Sequence, residues 1–186
     1  MVLAERCIRG GARLLQLRAK GEPSGTLLEW ADRLVAAARP TGAGIVINDR
    51  ADVAVMAGAE GVHIGQEDVP VEAAREVVGV SRIVGVSTHT QEQIDRALET
   101  SASYVAVGPI FETGTKETGY SARGLELVTY AAGRGKPVVA IGGITLDRAP
   151  AVVAAGASGL AVISDLLTGN DPEERVRAFA EALKSG

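Results

Sequence analysis

The 186-residue chain has little cysteine, few aromatic side chains and no excess of positive charge. Its single cysteine, Cys7, excludes an internal disulfide and a cysteine-based zinc site, so we expect a small buried thiol there. Aromatic residues make up only 3% of the chain, which leaves few surfaces on which nucleic-acid bases could stack. The net charge of −4 argues against a basic surface for nucleic acid or for an anionic membrane.

Long apolar segments are also missing, and this bears on location. No apolar run reaches the ~18 residues that a membrane-spanning helix needs. Near the N-terminus the charged residues Glu5, Arg6 and Arg9 stand where a signal peptide has its apolar core. We therefore expect a cytoplasmic protein without membrane or nucleic-acid partners. The apolar content of 46% fits one globular domain, residues 1–186.

The chain does contain a repeated alternation of short apolar runs and alanine-rich helical segments. Near-continuous apolar runs are typical of strands that are buried on both faces of a parallel sheet. Seven are present: LLQL (14–17), GIVI (44–47), GVHI (61–64), IVGV (83–86), YVAV (104–107), PVVAI (137–141) and GLAVI (159–163). Repeated βα units with polar residues after every strand favour a (β/α)8 TIM-type barrel over an open doubly wound sheet.

This barrel pattern is one strand short. The segment VLAERCIRGGA (2–12) has the pattern of a helix and its following turn, and no strand precedes it. We therefore predict seven parallel strands, with the first strand of the barrel absent from this chain and the two end strands splayed or patched. Open strand edges favour association, so a homo-oligomer is a possible consequence.

Two carboxylates follow successive predicted strands, on the face where barrel enzymes place their active sites. Asp49 comes directly after the second apolar run, and Asp68 comes shortly after the third. Magnesium often takes one or two carboxylates together with substrate phosphates. Each aspartate also has a purely structural alternative, because Asp49 could cap the following helix and Asp68 could stabilise a turn.

Groups suited to phosphate follow other strands. Arg18 and Lys20 follow the first run and supply positive charge. Gly142-Gly143 and Ser164 follow the last two runs, where barrels commonly bind phosphate through backbone N–H groups. Ser164 and the following Asp165 could instead cap a short helix. Together with the aspartates, these residues indicate a site for a magnesium-bound phosphate ester.

The two histidines have weaker signals. His63 lies on a strand between Val62 and Ile64, so its ring could face the interior of the barrel, and a structural role is the simpler interpretation. His89 is expected to be a solvated loop residue.

Seven motifs, in this order, resemble the thiamine phosphate synthase family. They are QLRAK (16–20), IND (47–49), GVHIGQED (61–68), GVSTHT (85–90), GPIFETGTK (108–116), AIGGI (140–144) and AVIS (161–164). The resemblance implies a (β/α)8 barrel transferase with Mg²⁺ as cofactor. Its implied reaction joins 4-amino-2-methyl-5-hydroxymethylpyrimidine diphosphate to 4-methyl-5-(2-hydroxyethyl)thiazole phosphate, which gives thiamine phosphate and releases pyrophosphate.

The resemblance also implies roles for individual residues. Asp49 and Asp68 match the magnesium ligands. Contacts to the pyrimidine diphosphate are implied for Gln16, Arg18, Lys20, Asn48, Ser87 and Lys116. Contacts to the thiazole phosphate are implied for Thr113, Gly114, Thr115, Gly143, Ile163 and Ser164. Within this set, Lys116, Ser87 and Arg18 are the expected catalytic residues.

Three alternative functions remain open on the sequence. A thiazole tautomerase-like relative on the same fold would not need the contacts to the pyrimidine diphosphate. Another phosphate-handling barrel lyase would usually carry a lysine or an acid/base residue inside a strand. A degenerate, non-catalytic paralogue that only binds thiamine phosphate would be compatible with the missing strand.

Overall fold

Seven strands and eight α-helices alternate within residues 1–114, 119–169 and 171–184, the parts of the chain that the computed structural model describes. The strands are β1 (Leu14–Leu17), β2 (Gly44–Asn48), β3 (Gly61–Ile64), β4 (Ile83–Thr88), β5 (Tyr104–Val107), β6 (Val138–Ile141) and β7 (Gly159–Ala161). The helices are α1 (Val2–Arg9), α2 (Ser24–Ala38), α3 (Ala51–Met56), α4 (Val71–Val78), α5 (Gln91–Leu98), α6 (Leu125–Ala131), α7 (Ala149–Ala154) and α8 (Pro172–Lys184). Short 3-10 turns cover Arg39–Thr41 and Ser164–Leu167.

The strands form one parallel sheet in which spatial order equals chain order, from β1 to β7. Each strand is connected to the next through a helix, as in (β/α) barrels. The register aligns one residue from each of four neighbouring strands in a row: Asn48 lies opposite His63, His63 opposite Gly85, and Gly85 opposite Tyr104. This row belongs to the interior face of the curved sheet.

The other face of the sheet carries the hydrophobic core. Alternate strand residues such as Ile45, Val62 and Val84 are fully buried and pack in one cluster with residues of the surrounding helices. Successive side chains of a strand point to opposite faces, so the β-branched positions face the helices while the positions between them face inward. This alternation places His63 and Asn48 inside the barrel, as the sequence predicts for His63.

The barrel is open between its end strands. Across the described ranges, β1 pairs only with β2 and β7 pairs only with β6. Outside this gap α1 packs against α8, where Arg6 Nη2 lies 2.9 Å from Asp171 Oδ1 and Arg9 Nε lies 2.9 Å from Glu173 Oε2. The predicted seven parallel strands with unpaired ends are therefore confirmed, and helices span the gap from outside.

Two further expectations can be compared with the fold. Cys7 is buried in α1, as predicted, and burial raises the pKa of its thiol. Within the described ranges, every helix is too short or too polar to cross a bilayer.

Candidate active site at the carboxyl ends of the strands

Asp49 occupies a strained position directly after β2. Its φ of 64° makes it the one non-glycine residue of the described chain in the left-handed region. Its backbone N–H donates to the His63 carbonyl oxygen at 2.8 Å, and its Oδ2 lies 2.9 Å from Lys20 Nζ. The N-cap of α3 is Arg50, which makes no side-chain capping bond. The geometry therefore gives Asp49 a place beside Lys20 rather than at a helix cap.

Asp68 lies next to Asp49 across the ends of β2 and β3. The carboxyl group of Asp49 is close enough to that of Asp68 to shift its pKa. Burial is the main reason why the pKa of Asp68 is raised, and the neighbouring Asp49 raises it further, against the lowering effects of Gly65 N–H and Lys20. The Gly65 N–H donates to Asp68 Oδ2 at 2.6 Å, so Asp68 also stabilises its turn. Both the structural and the site interpretation of Asp68 fit this geometry.

The aspartate pair offers oxygen ligands for a hard divalent cation. Residues 1–114, 119–169 and 171–184 contain no cluster of three or more His, Cys, Asp or Glu side chains that could hold a metal. Magnesium does not require one, because it is usually bound by one or two carboxylates, with substrate phosphates and waters completing the octahedron. The charged form of Asp68 is disfavoured in this pair of carboxylates. A bound divalent cation would stabilise the charged form of both.

A polar chain crosses the interior beneath the aspartates. The ring nitrogens of His63 contact Tyr104 Oη through Nδ1 and Ser87 Oγ through Nε2, both at 2.8 Å. His63 is 7% exposed and Tyr104 is 8% exposed. The Ser87 carbonyl oxygen accepts a hydrogen bond from Gln66 Nε2 at 2.6 Å. Ser87 therefore connects this buried chain to the carboxyl end of the barrel.

The predicted site residues of the first motif are exposed. Gln16, Arg18 and Lys20 lie on or directly after β1 and their side chains reach solvent, whereas Ala19 between them packs on the core. They are exposed because β1 is an end strand with a single neighbour. Asn48, by contrast, is buried at the end of the inner strand β2.

The loops after β5 and β6 are joined by backbone hydrogen bonds. Ile110 N–H donates to the Ile141 carbonyl at 2.9 Å, and Phe111 N–H donates to the Gly142 carbonyl at 3.0 Å. Gly143 has a φ of 63°, and a Cβ there would lie 2.6 Å from the Glu112 carbonyl oxygen. This contact brings Gly143 close to the loop that continues into Thr113 and Gly114. The predicted residues Thr115 and Lys116 lie outside the described residues.

Ser164 and Ile163, the last predicted pair, are exposed after β7. The next residue, Asp165, holds two loops together, a role that its sequence pattern of a helix cap did not indicate. Its carboxylate is 7% exposed and binds Arg175 Nη2 at 2.7 Å. It also accepts a hydrogen bond from Leu146 N–H at 3.2 Å, and so fixes the loop after β6 beside the turn that begins at Ser164.

The expectation for His89 is wrong. The residue is 9% exposed, its Nδ1 contacts the Gly108 carbonyl oxygen, and its ring stacks on Tyr120 with centroids 4.4 Å apart. The neighbouring Thr90 caps α5 through a hydrogen bond from Gln93 N–H at 3.2 Å. The strand β4 runs two residues beyond the predicted apolar run, which brings His89 under the β5 loop instead of into solvent.

Comparison with known proteins identifies the family of the chain. Residues 1–166 match the model of the thiamine monophosphate synthase family. The chain is 41% identical over 184 residues to a thiamine-phosphate synthase of Chlorobium luteolum, covering 98% of this chain and 87% of the relative. It is 44% identical over 185 residues to one of Anaeromyxobacter dehalogenans, covering 98% and 82%.

A solved structure agrees in backbone as well. The thiamine phosphate pyrophosphorylase of Pyrococcus furiosus superimposes with a TM-score of 0.91 at 31% identity, covering 99% of this chain and 89% of that one. The match over nearly the whole barrel extends the family assignment from motifs to the fold that carries them. The chain therefore belongs to the thiamine monophosphate synthase family.

Proposed function

We propose that this protein is a Mg²⁺-dependent thiamine-phosphate synthase that joins the pyrimidine diphosphate to the thiazole phosphate and releases pyrophosphate. The observation that carries the proposal is the meeting of Asp49, Asp68 and Lys20 at the carboxyl ends of β1 to β3. A pair of adjacent carboxylates with a lysine against one of them suits a metal-bound diphosphate. The two relatives are named thiamine-phosphate synthase, which fits the product of this reaction.

In the proposed reaction, the bond between the pyrimidine methylene carbon and the diphosphate oxygen breaks, and its electron pair leaves with pyrophosphate. The 4-amino group of the pyrimidine stabilises the resulting positive charge on the methylene carbon. The thiazole nitrogen then donates its lone pair and forms the new carbon–nitrogen bond. No proton has to be removed from the nucleophile, so the chemistry needs no general base.

The protein residues orient the substrates and balance charge. Arg18 and Lys20, with Lys116, supply positive charge to the leaving diphosphate, and Ser87 and Asn48 also contact the pyrimidine diphosphate. Gly143 follows β6 and Ser164 follows β7, and both bind the thiazole phosphate. Asp49 and Asp68 would hold the magnesium ion, which would supply positive charge to balance the charge on the pyrophosphate.

The test is a turnover assay with both substrates, with and without Mg²⁺, that follows thiamine phosphate and pyrophosphate. We expect product only with Mg²⁺, and a strong loss in Lys20→Met. The matched control is Lys184→Met, which breaks an exposed ion pair of Lys184 Nζ with Glu181 Oε1 at 2.8 Å and should keep full activity. A folded protein that makes no thiamine phosphate at saturating Mg²⁺ would contradict the proposal.

The same assay separates the alternative functions. A tautomerase-like protein would exchange protons on the thiazole without consuming the pyrimidine diphosphate. A non-catalytic paralogue would bind thiamine phosphate and release no pyrophosphate. The names of the relatives at 41% and 44% identity favour the synthase.

A further inference from the structure

The interior chain Tyr104–His63–Ser87 contains two side chains to which neither the motifs nor the proposed reaction assign a role. Tyr104 lies at the start of β5, His63 in the middle of β3 and Ser87 near the end of β4. The chain therefore runs from the lower interior of the barrel up to the end where the aspartates meet.

The proton positions in this chain follow from the surroundings of Tyr104. In the described part of the protein, His63 is the one hydrogen-bonding partner of the Tyr104 hydroxyl. Burial raises the pKa of Tyr104, so the phenol keeps its proton. A buried hydroxyl that only accepted would leave that proton unsatisfied, which is unfavourable. Tyr104 therefore donates to His63 Nδ1.

The positions of the protons on His63 and Ser87 follow from this hydrogen bond. With Nδ1 acting as an acceptor, a neutral imidazole carries its proton on Nε2. That N–H then donates to Ser87 Oγ, which it contacts at 2.8 Å. The Ser87 oxygen accepts this hydrogen bond from the interior of the barrel. Its hydroxyl proton can therefore be donated to a ligand at the carboxyl end of the strands.

We propose that Tyr104 and His63 are positioning residues that set Ser87 as a hydrogen-bond donor to the substrate. This inference rests on the proposed function, in which Ser87 contacts the pyrimidine diphosphate. A serine with a fixed proton direction stabilises charge on a leaving oxygen without reorganisation at the moment of reaction.

The space for the Tyr104 ring inside the barrel depends on the absence of a side chain at Gly85 of β4. A Cβ at Gly85 would lie 2.1 Å from Tyr104 Cζ and 2.3 Å from its hydroxyl oxygen. Gly85 is the register partner of both His63 and Tyr104, so the missing side chain is what lets the phenol lie beside the imidazole.

The first experiment reads the tautomer directly, by nitrogen-15 NMR of the imidazole rings above neutral pH. The chain has two histidines, and they should differ. His63 should carry its proton on Nε2, whereas His89 should carry one on Nδ1, because that nitrogen contacts the Gly108 carbonyl. His89→Gln assigns the signals. A His63 that is protonated on Nδ1, or charged, overturns the proposal.

The second experiment is a double-mutant cycle on turnover. Tyr104→Phe should lower kcat by roughly tenfold with little change in KM, since one hydrogen bond near the reacting charge is lost. In a Ser87→Ala background the same change should have no further effect, because Tyr104 acts through Ser87. Tyr130→Phe removes a hydroxyl that contacts Asp95 on the outside of the barrel at 2.9 Å and should leave kcat unchanged.

An equal effect of Tyr104→Phe in both backgrounds would show a general packing role and overturn the proposal. The expected tautomers in a folded protein that makes no thiamine phosphate would support the proton arrangement and overturn the proposed function alone.

Discussion

At the scale of single residues, the site shows features that ordinary stability does not require. Asp49 holds a left-handed backbone, and its carboxylate lies beside that of Asp68 although burial and repulsion raise the pKa of the latter. Strain and like-charge contacts of this kind persist where surrounding structure imposes them and are concentrated at functional sites. We therefore expect substitutions of Asp49 and Asp68 to affect function more than stability.

Asp49→Asn and Asp68→Asn should each lower turnover at limiting Mg²⁺ by about a hundredfold, because one electrostatic contact to a developing charge contributes roughly 3 kcal/mol. Neither variant should unfold at lower temperature without metal, since each removes one member of a repulsive pair. Steady-state rates across a Mg²⁺ titration measure the effect. Glu67→Gln, an exposed carboxylate of the same turn, is the control and should behave as wild type. Normal rates in both aspartate variants would remove the metal assignment.

At the scale of elements, the phosphate end of the site depends on contacts between loops. The loop after β5 is hydrogen bonded to the end of β6, and Asp165 fixes the loop after β6 to the turn at Ser164 and to Arg175 of α8. These contacts join segments far apart in the chain. The position of the thiazole phosphate is therefore expected to respond to substitutions that do not touch it.

Gly143→Ala should weaken binding of the thiazole phosphate as well as stability. Its φ of 63° makes any side chain unfavourable, by roughly 1–2 kcal/mol, and its Cβ would collide with the loop at Glu112. Gly133 is the matched control, because it also has a positive φ, of 72°, but has nothing within 4 Å of an added Cβ. Thermal unfolding should show a loss for both alanine variants, larger for Gly143→Ala because of the added collision, and only Gly143→Ala should raise KM for the thiazole phosphate. An unchanged KM in Gly143→Ala would disprove the loop contact as a binding determinant.

Asp165→Ala should lower the free energy of unfolding by about 3 kcal/mol, because it leaves Arg175 without its buried partner and Leu146 N–H without an acceptor. Urea unfolding measures the change. Asp95→Ala breaks the exposed ion pair with Arg134, at 2.7 Å, and should have a far smaller effect. Equal losses in the two variants would show that the burial of Asp165 carries no special weight.

At the scale of the whole molecule, the open barrel leaves two strand edges that no other strand covers in the described chain. β1 and β7 each have one partner, and Leu14 on β1 is exposed. Backbone groups that lack partners along a strand reduce stability when water cannot replace the hydrogen bonds. Helix α1 already lies outside the gap, where it would connect an added strand to β1.

A variant that carries an additional apolar strand and turn ahead of α1 should therefore unfold at a higher temperature and bind the pyrimidine diphosphate more tightly. The added strand would pair with β1 and β7 and enclose the side of the site where Gln16 and Arg18 are exposed. Thermal unfolding and KM for the diphosphate measure the gain. An extension of the same length rich in glycine and serine is the control. No difference between the two extensions would mean that the seven-stranded form gains nothing from closure.

The sequence by itself determined the elements and the family. A strand that is covered on both faces has apolar residues at nearly every position. All seven strands could therefore be predicted within a few residues. The polar residues after them predicted which end carries the site, and the motifs predicted Asp49 and Asp68 as a pair.

Only the tertiary structure decided which side chains of neighbouring strands contact each other. The register brings His63, Gly85 and Tyr104 into one row, and sequence reasoning could not find the resulting chain to Ser87 because its members are up to 41 positions apart. The same limit explains the error at His89 and the unforeseen contacts of Asp165, since the partners of both residues belong to other segments of the chain. Local patterns report the exposure of a segment, whereas hydrogen-bond partners and available space depend on which segments the fold places side by side.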